Sequence, residues 1–588
     1  MKSKVKGRRR INRRQFVKQA GYVVGIGLGT MEELSDLKGV GVNTLSVGKT
    51  LAGEKVQSGQ SSREQRKIIV SEDGPWWLTG DGRLTRRHLE RFVEELAGAA
   101  DTLALIMAMP DICFYPTKAG ELFGSRLTSF NAAARMGETS PIIFWQQING
   151  IRSLIESGND PAVVLPQECH KRGIEAIARV KINDTHHLSD SMYPYRSQFV
   201  INNPQWHLRD RALVPDYSYR EVRDHRLAII QELVQRYDWD GLELDFTRSP
   251  YLFPSNVAEE RAPIMTEFIS QTRELLDKES QRRSKGRLTL GMRVPYELKI
   301  CKKIGMDLPA WIKKGLVDYI APGGGTWTEF NLKVEHFKAL TEGTSCGLYP
   351  SYQGHPISSV PGQMGPRPKS REMTRAAAHN YYTWGADGLH FYNLHRSNFA
   401  IPISSQDDIH DPTGEQAHKG MYDRAILQEI RDPATLASRN RHYVFLPHYA
   451  PGTDAIRPDA RTDVVILAAS ELNRRQVFPF RIAEDFKDAR AKFSLRFKAV
   501  NQTFDDQIEV DLNGTSLPMR KLNRIYHWRG VSEWGVLPPF YLYEAVLTSP
   551  PAKKGDNELG VKLLKRKQEL EKVDIYIQDV EVVVSYPD

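Results

Sequence analysis

Asp240-Gly241-Leu242-Glu243-Leu244-Asp245-Phe246 is the stretch whose reading decides the fold. In a strand, alternate residues face the same way, so Leu242, Leu244 and Phe246 share one side and Glu243 and Asp245 the other. An apolar face opposite two carboxylates fits a barrel strand, with helices covering the outside and polar groups gathered inside toward the C-terminal mouth. Asp387-Gly-Leu-His-Phe-Tyr392 repeats the template, and Val317-Asp-Tyr-Ile-Ala-Pro322 is a looser copy. The leading aspartates Asp240, Asp318 and Asp387 are expected to be structural, because they fall at the N-terminal ends of their strands, away from barrel chemistry.

Working outward, short β-branched runs alternate with helical stretches from Lys67 onward, the pattern of βα units and a parallel sheet. Eight strands are predicted, starting near Lys67, Thr102, Ile174, Asp240, Arg287, Val317, Thr344 and Gly385. Residues 219–237 and 262–280 have the three- and four-residue apolar spacing of amphipathic helices. No G-x-G-x-x-G follows a strand, which argues against an open dinucleotide-binding sheet. The expected fold is therefore α/β, a (β/α)8 TIM barrel over 67–446, followed by a small all-β sandwich over 470–588. Residues 51–66 read as a polar linker and 447–469 as a connector. HYVFLPH (442–448) fits either the barrel's closing or the sandwich.

The chain of 588 residues has a formal charge of +9, but residues 1–50 hold eleven Lys and Arg against three Asp and Glu. The basicity belongs to this leader, so nucleic-acid binding loses its main support. Arg13-Arg14-Gln15-Phe16-Val17-Lys18, after a basic run and before a Gly-rich apolar stretch, resembles a twin-arginine export signal. That resemblance implies a periplasmic or extracellular protein, with no membrane association beyond the leader. Cys113, Cys169, Cys301 and Cys346 form no C-x-x-C pair, so no zinc or redox motif is expected. No cofactor is implied.

At the predicted mouth, Arg179, Lys181 and Asn183 share a face of the third strand, beside Glu243 and Asp245 on the fourth and Arg293 on the fifth. His390 and Tyr392 come from the last. Charges inside a barrel must pair, and these supply both signs at matching depth. The loops add Asp184, His186 and His187, then Glu297, then Trp327 and Glu329, with Tyr349 from the seventh strand. Rings beside carboxylates and amides suit sugars, whose apolar faces stack while their hydroxyls need polar partners. His186 and His187 would point apart on an extended chain, so no metal site is expected.

Taken together, DGLELDFTRSP, KINDTHH, GMRVP, VDYIAPGG and GADGLHFYN resemble a bacterial, planctomycete-type glycosyl-hydrolase-like barrel family with a trailing sandwich. The fourth strand is also similar to that of chitinase-type barrels, but Thr247 stands where the catalytic Glu belongs. In the α-amylase clan an Asp ends strand four as nucleophile, a place that Asp245 would take. The resemblance implies a glycoside hydrolase working with two carboxyl groups. Asp245 is expected as nucleophile or base, Glu297 as acid, and Glu329 or Asp184 in reserve. Glu243, Arg179, Lys181, Asn183, His186, His187, Arg293, Trp327, Tyr349, His390 and Tyr392 are expected to bind a carbohydrate, and the basic members also suit an anionic glycan. A polysaccharide lyase and a non-catalytic glycan-binding barrel stand as alternatives. Sugar, linkage, anomeric outcome and oligomeric state are left open.

Overall fold

A computed structural model describes residues 66–587 apart from 73, 79–81, 128–140, 185–193, 210, 248–249, 325–327, 354–369, 395–421, 446–464, 487–490, 528–529, 533–534 and 538. The leader and nearly all of the linker lie outside the described residues. Nine parallel strands form the main path of the first sheet, to which the short strands Ile112–Cys113 and Glu121–Leu122 are added at one side. The nine are β1 (Lys67–Glu72), β2 (Thr102–Met109), β3 (Glu175–Lys181), β4 (Gly241–Asp245), β5 (Thr289–Pro295), β6 (Tyr319–Gly323), β7 (Gly347–Leu348), β8 (Ser351–Gln353) and β9 (Gly388–Tyr392). Their order is β7-β6-β5-β4-β3-β2-β1-β9-β8.

The two ends of this order, β7 and β8, are consecutive pieces of one chain segment. Between them Tyr349 donates its N–H to Ile320 of β6 at 3.0 Å, while the Pro350 carbonyl accepts from His390 of β9 at 3.2 Å. Pro350 has no N–H to offer, so the ladder breaks there. This corrects the closed eight-stranded barrel expected from the sequence: the hydrogen-bonded sheet is a curved parallel half-barrel, open where the seventh predicted strand splits in two.

One device recurs at the N-terminal ends of the strands. Asp101 accepts the Ile68 amide at 2.7 Å, Asp240 that of Ala176 at 2.9 Å, Asp318 that of Leu290 at 2.7 Å and Asp387 that of Leu348 at 2.9 Å. Each carboxylate thus satisfies the first free donor of the neighbouring strand, an obligation that backbone buried in a core must meet. The residues that open the repeated D-G-L template are therefore part of the framework.

Helices cover the outer face. α1 (Arg220–Arg236) buries Val222, Ile229, Ile230, Leu233 and Val234, and α2 (Ala262–Arg283) buries Met265, Phe268, Ile269 and Leu276. These stripes meet outward residues such as Leu242, Leu244 and Phe246 of the fourth-strand segment, all fully buried in the same core. Removing them from water is the main stabilising term for this layer.

The C-terminal region is all β. A six-stranded antiparallel sheet contains β10 (Arg441–Phe445), β11 (Val465–Leu467), β13 (Lys492–Val500), β16 (Asn523–His527), β17 (Phe540–Leu547) and β19 (Ile575–Ser585). A four-stranded sheet contains β12 (Arg475–Ile482), β14 (Gln507–Leu512), β15 (Thr515–Ser516) and β18 (Gly555–Lys565). Of the two placements open to HYVFLPH, its described part joins the sandwich, since β10 pairs with β19. Asn380, on α3 (Arg371–Thr383), ties the layers together. Its amide donates to the Phe330 and Arg481 carbonyls at 3.1 and 3.0 Å and its oxygen accepts the Ala483 N–H at 2.8 Å.

Candidate active site

Cross-strand register sets Arg179 beside Glu243 and Lys181 beside Asp245 on β3 and β4, and Asp245 beside Arg293 on β4 and β5. Arg179, Glu243, Asp245, Arg293, Ser351 and His390 are at most 1 % exposed. At that depth an unpaired charge would be prohibitive, and the six side chains pair in a ring.

Arg179 donates to Asp245 Oδ2 and lies 3.2 Å from Glu243 Oε1 through Nε. Asp245 Oδ1 faces Arg293 Nη1 at 3.3 Å, and Arg293 Nε donates to Ser351 Oγ at 3.3 Å. Ser351 Oγ meets His390 Nδ1 at 3.0 Å, and His390 Nε2 meets Glu243 Oε2 at 3.0 Å, which closes the ring. Both guanidiniums lie over the Tyr392 ring, Arg293 at 3.4 Å and Arg179 at 4.9 Å from its centroid. Such desolvated cation–π contacts add about 2 kcal/mol each.

The two carboxylates are held differently. Glu243 accepts from Ser71 Oγ at 2.7 Å and from Tyr319 Oη at 2.8 Å besides its charged partners. Burial alone would raise its pKa, but His390, then Arg179 and Ser71, outweigh that and hold it at about 2. Asp245 accepts on Oδ1 from the Thr247 amide at 2.9 Å and the Thr247 hydroxyl at 2.7 Å. The Thr247 hydroxyl also accepts from Arg293, whose Nη2 reaches the Gly324 carbonyl at 2.7 Å. Thr247, where a chitinase-type strand has its Glu, thus fixes the orientation of Asp245.

Tyr319 reaches Glu243 because Gly291 lies beside it in register and has no side chain; a Cβ there would overlap the phenol ring. Ser71, Tyr319, Ser351 and Gly291 were not singled out from the sequence. Their signal is the same alternation that selects Glu243: each lies on the inward parity of its own strand.

The remaining expected residues fall in several places. Lys181 pairs with Asp184 at 3.2 Å, both buried, and Asn183 donates to the Pro215 and Tyr251 carbonyls, fastening the loop after β3. Glu297 and Glu329 help to line one cavity of 280 Å3, together with Tyr296, Lys299, Asn331 and His336. Glu297 lies 3.2 Å from Lys299, and Glu329 accepts the Asn331 amide at 2.9 Å. Tyr349 is not brought to the mouth. Its ring packs on Tyr319 at 5.7 Å beside Lys67, at the N-terminal end of the sheet. His186, His187 and Trp327 lie outside the described residues. Among the described residues, no group of three or more His, Cys, Asp or Glu has a metal-holding arrangement.

No protein-family model matches this chain, and no curated protein is similar to it. Among solved structures, it is similar to the alpha-L-fucosidase isoenzyme 2 from Paenibacillus thiaminolyticus, with TM-score 0.36 and 12 % identity over 63 % of this chain and 49 % of that one. It is also similar to the PgaB (BpsB) glycoside hydrolase domain from Bordetella bronchiseptica, with TM-score 0.35 and 11 % identity over 59 % of this chain and 98 % of that one. A third is the glycoside hydrolase family 18 N-acetylglucosaminidase from Paenibacillus barengoltzii, with TM-score 0.31 and 12 % identity over 57 % and 98 %. The match spans about half the length of the fucosidase. At this level of likeness the matches decide nothing about chemistry, which the side chains must carry.

Proposed function

We propose that this chain is an exported glycoside hydrolase acting on a polysaccharide or oligosaccharide, with Asp245 as the carboxylate that faces the reacting carbon. The observation that supports it is the setting of Asp245. This carboxylate ends β4, at the strand end where barrel enzymes do their chemistry, and two guanidiniums and Thr247 hold it in one orientation. A fixed anion there stabilises the positive charge that develops on the anomeric carbon, or attacks it. The reaction also needs a proton donor to the leaving oxygen. Glu297 and Glu329, on one cavity wall, are the carboxyl groups proposed for that task. Export is proposed on the twin-arginine pattern of the leader.

A second reading, a glycan-binding barrel without turnover, is favoured by one specific observation. Glu243 and Asp245 are already engaged by protein partners and almost wholly buried.

One experiment separates the two. The full chain is incubated with neutral, uronate-bearing and sulfated polysaccharides, and new reducing ends and ultraviolet absorbance are read together, with Asp245→Asn alongside. A hydrolase yields reducing ends without absorbance, and the variant loses roughly a thousandfold or more in rate. Absorbance identifies a lyase. Full activity in the variant removes Asp245 from the site, and binding without product on every polymer establishes the second reading.

A further inference from the structure

The outer edge of the six-stranded sheet differs from the rest of the sandwich. β16 is its last strand, and Asn523, Arg524, Ile525 and Tyr526 are all exposed there. Tyr526 is 49 % exposed, and Phe504, from the loop before β14, is 78 % exposed. The rings form a cluster. Tyr526 and Tyr541 have centroids 4.9 Å apart, and the Arg524 guanidinium lies 4.7 Å from the Tyr541 centroid and 5.9 Å from that of Phe504. Arg520 and Lys521, in the short turn before β16, are exposed as well.

Many cations elsewhere in the sandwich have carboxylate partners, among them Arg475 with Asp511, Arg496 with Glu544, Lys498 with Asp579, Lys562 with Glu509 and Arg566 with Asp506. Arg520, Lys521 and Arg524 form no ion pair among the described residues. Three unmatched cations within five residues, beside exposed rings, make a patch complementary to an anion carried on an apolar surface.

We propose that this edge is a binding site for a uronate-bearing polysaccharide, separate from the barrel. A pyranose ring has an apolar face that stacks on Phe504 or Tyr526, as aromatic side chains require. The carboxyl group of a uronate is bonded directly to that ring, so stacking fixes its reach. Arg524, between the rings, offers the planar fork that matches a carboxylate, and Arg520 and Lys521 serve the next residues of the polymer. Charge balance argues against a nucleic acid. Residues 470–588 carry 19 Lys and Arg against 18 Asp and Glu, so the patch is a local recognition point and not one end of a basic track.

The test is affinity electrophoresis of the whole chain through gels containing polygalacturonate, dextran or dextran sulfate. The native chain should be retarded by polygalacturonate, less so as salt rises, and not by dextran. Arg524→Glu and Tyr526→Ala should each weaken the retardation about tenfold or more, with melting temperature unchanged because both residues are exposed. Asp245→Asn should leave it intact, which keeps this site distinguishable from the barrel. Retardation by polygalacturonate that survives both edge substitutions overturns the proposal. So does equal retardation by dextran, binding to dextran sulfate that alone accounts for the effect and ignores Tyr526→Ala, or no retardation of the native chain.

Discussion

Replacing Glu243 by Gln keeps the shape of the side chain and removes its charge. In the native chain burial works against ionisation, yet His390, Arg179 and Ser71 hold the carboxyl at about 2, against an ordinary 4.5. At about 1.4 kcal/mol for each tenfold change in proton affinity, the ionised form contributes about 3 kcal/mol to folding at neutral pH. The folded pKa lies below the unfolded one. The contribution is therefore complete above pH ~4.5 and is lost as pH falls through the range from there to 2. Gln lacks it at every pH and leaves Arg179 one anion short, a change that costs about 3–5 kcal/mol in buried pairs. For the compact unit of residues 63–588, with about 2.1 cal/mol/K per residue, 3 kcal/mol is roughly 3 °C. Melting followed by tryptophan fluorescence at pH 7, 5, 4 and 3 reads it directly. Glu243→Gln should melt roughly 3 °C below the native chain at pH 7, with the gap shrinking to roughly 1 °C at pH 3. Coincident curves at pH 7, or a gap that widens on acidification, would refute the reasoning.

Two further outcomes follow from the packing. Cys113, Cys169, Cys301 and Cys346 are all buried free thiols, and burial pushes those of Cys113 and Cys346 up to about 12. A thiol reagent at pH 8 should therefore label less than one cysteine per native chain and all four in denaturant; rapid labelling of the folded protein would contradict this burial. Gly291→Ala forces the Tyr319 ring off its path to Glu243, combining overpacking with loss of a charge-assisted hydrogen bond, about 3–5 kcal/mol in all. Its soluble yield and melting temperature should fall, and Tyr319→Ala in the same chain should recover part of the loss; no recovery would locate the clash elsewhere.

Much of this was legible in the sequence because strand geometry is nearly independent of context. The period of two in DGLELDF turns Glu243 and Asp245 inward whatever surrounds them, and the aspartates that open the repeated template each accept an amide of a preceding strand. Depth along a strand was harder to read. Tyr349 has the inward parity but is only the third residue from the start of β7, so it lies in the lower layer with Lys67. The split between β7 and β8 was also hidden, since Pro350 interrupts the ladder without interrupting the apolar pattern. Ser71, Tyr319 and Ser351 became meaningful only once register brought them against Glu243 and His390. HYVFLPH could not be assigned because its alternation suits either sheet, and pairing with β19 decides it.

The ring also bears on which substrates belong first in the screen. Two cations, Arg179 and Arg293, balance two anions, Glu243 and Asp245, with no described member more than 1 % exposed. A ligand reaching Asp245 must replace a guanidinium contact, since Arg179 and Arg293 grip the carboxylate from two sides. A neutral sugar hydroxyl that does so leaves a guanidinium without its anion in a dry site, at a cost of several kcal/mol. A substrate carboxylate that does so becomes the guanidinium's new partner and releases Asp245, whose negative charge is then offset by the positive charge developing on the reacting carbon. Faster turnover of uronate-bearing than of neutral polymers is the outcome expected from this pairing. Turnover of a neutral polymer at equal rate would mean that the arginines move away from Asp245 before the substrate arrives.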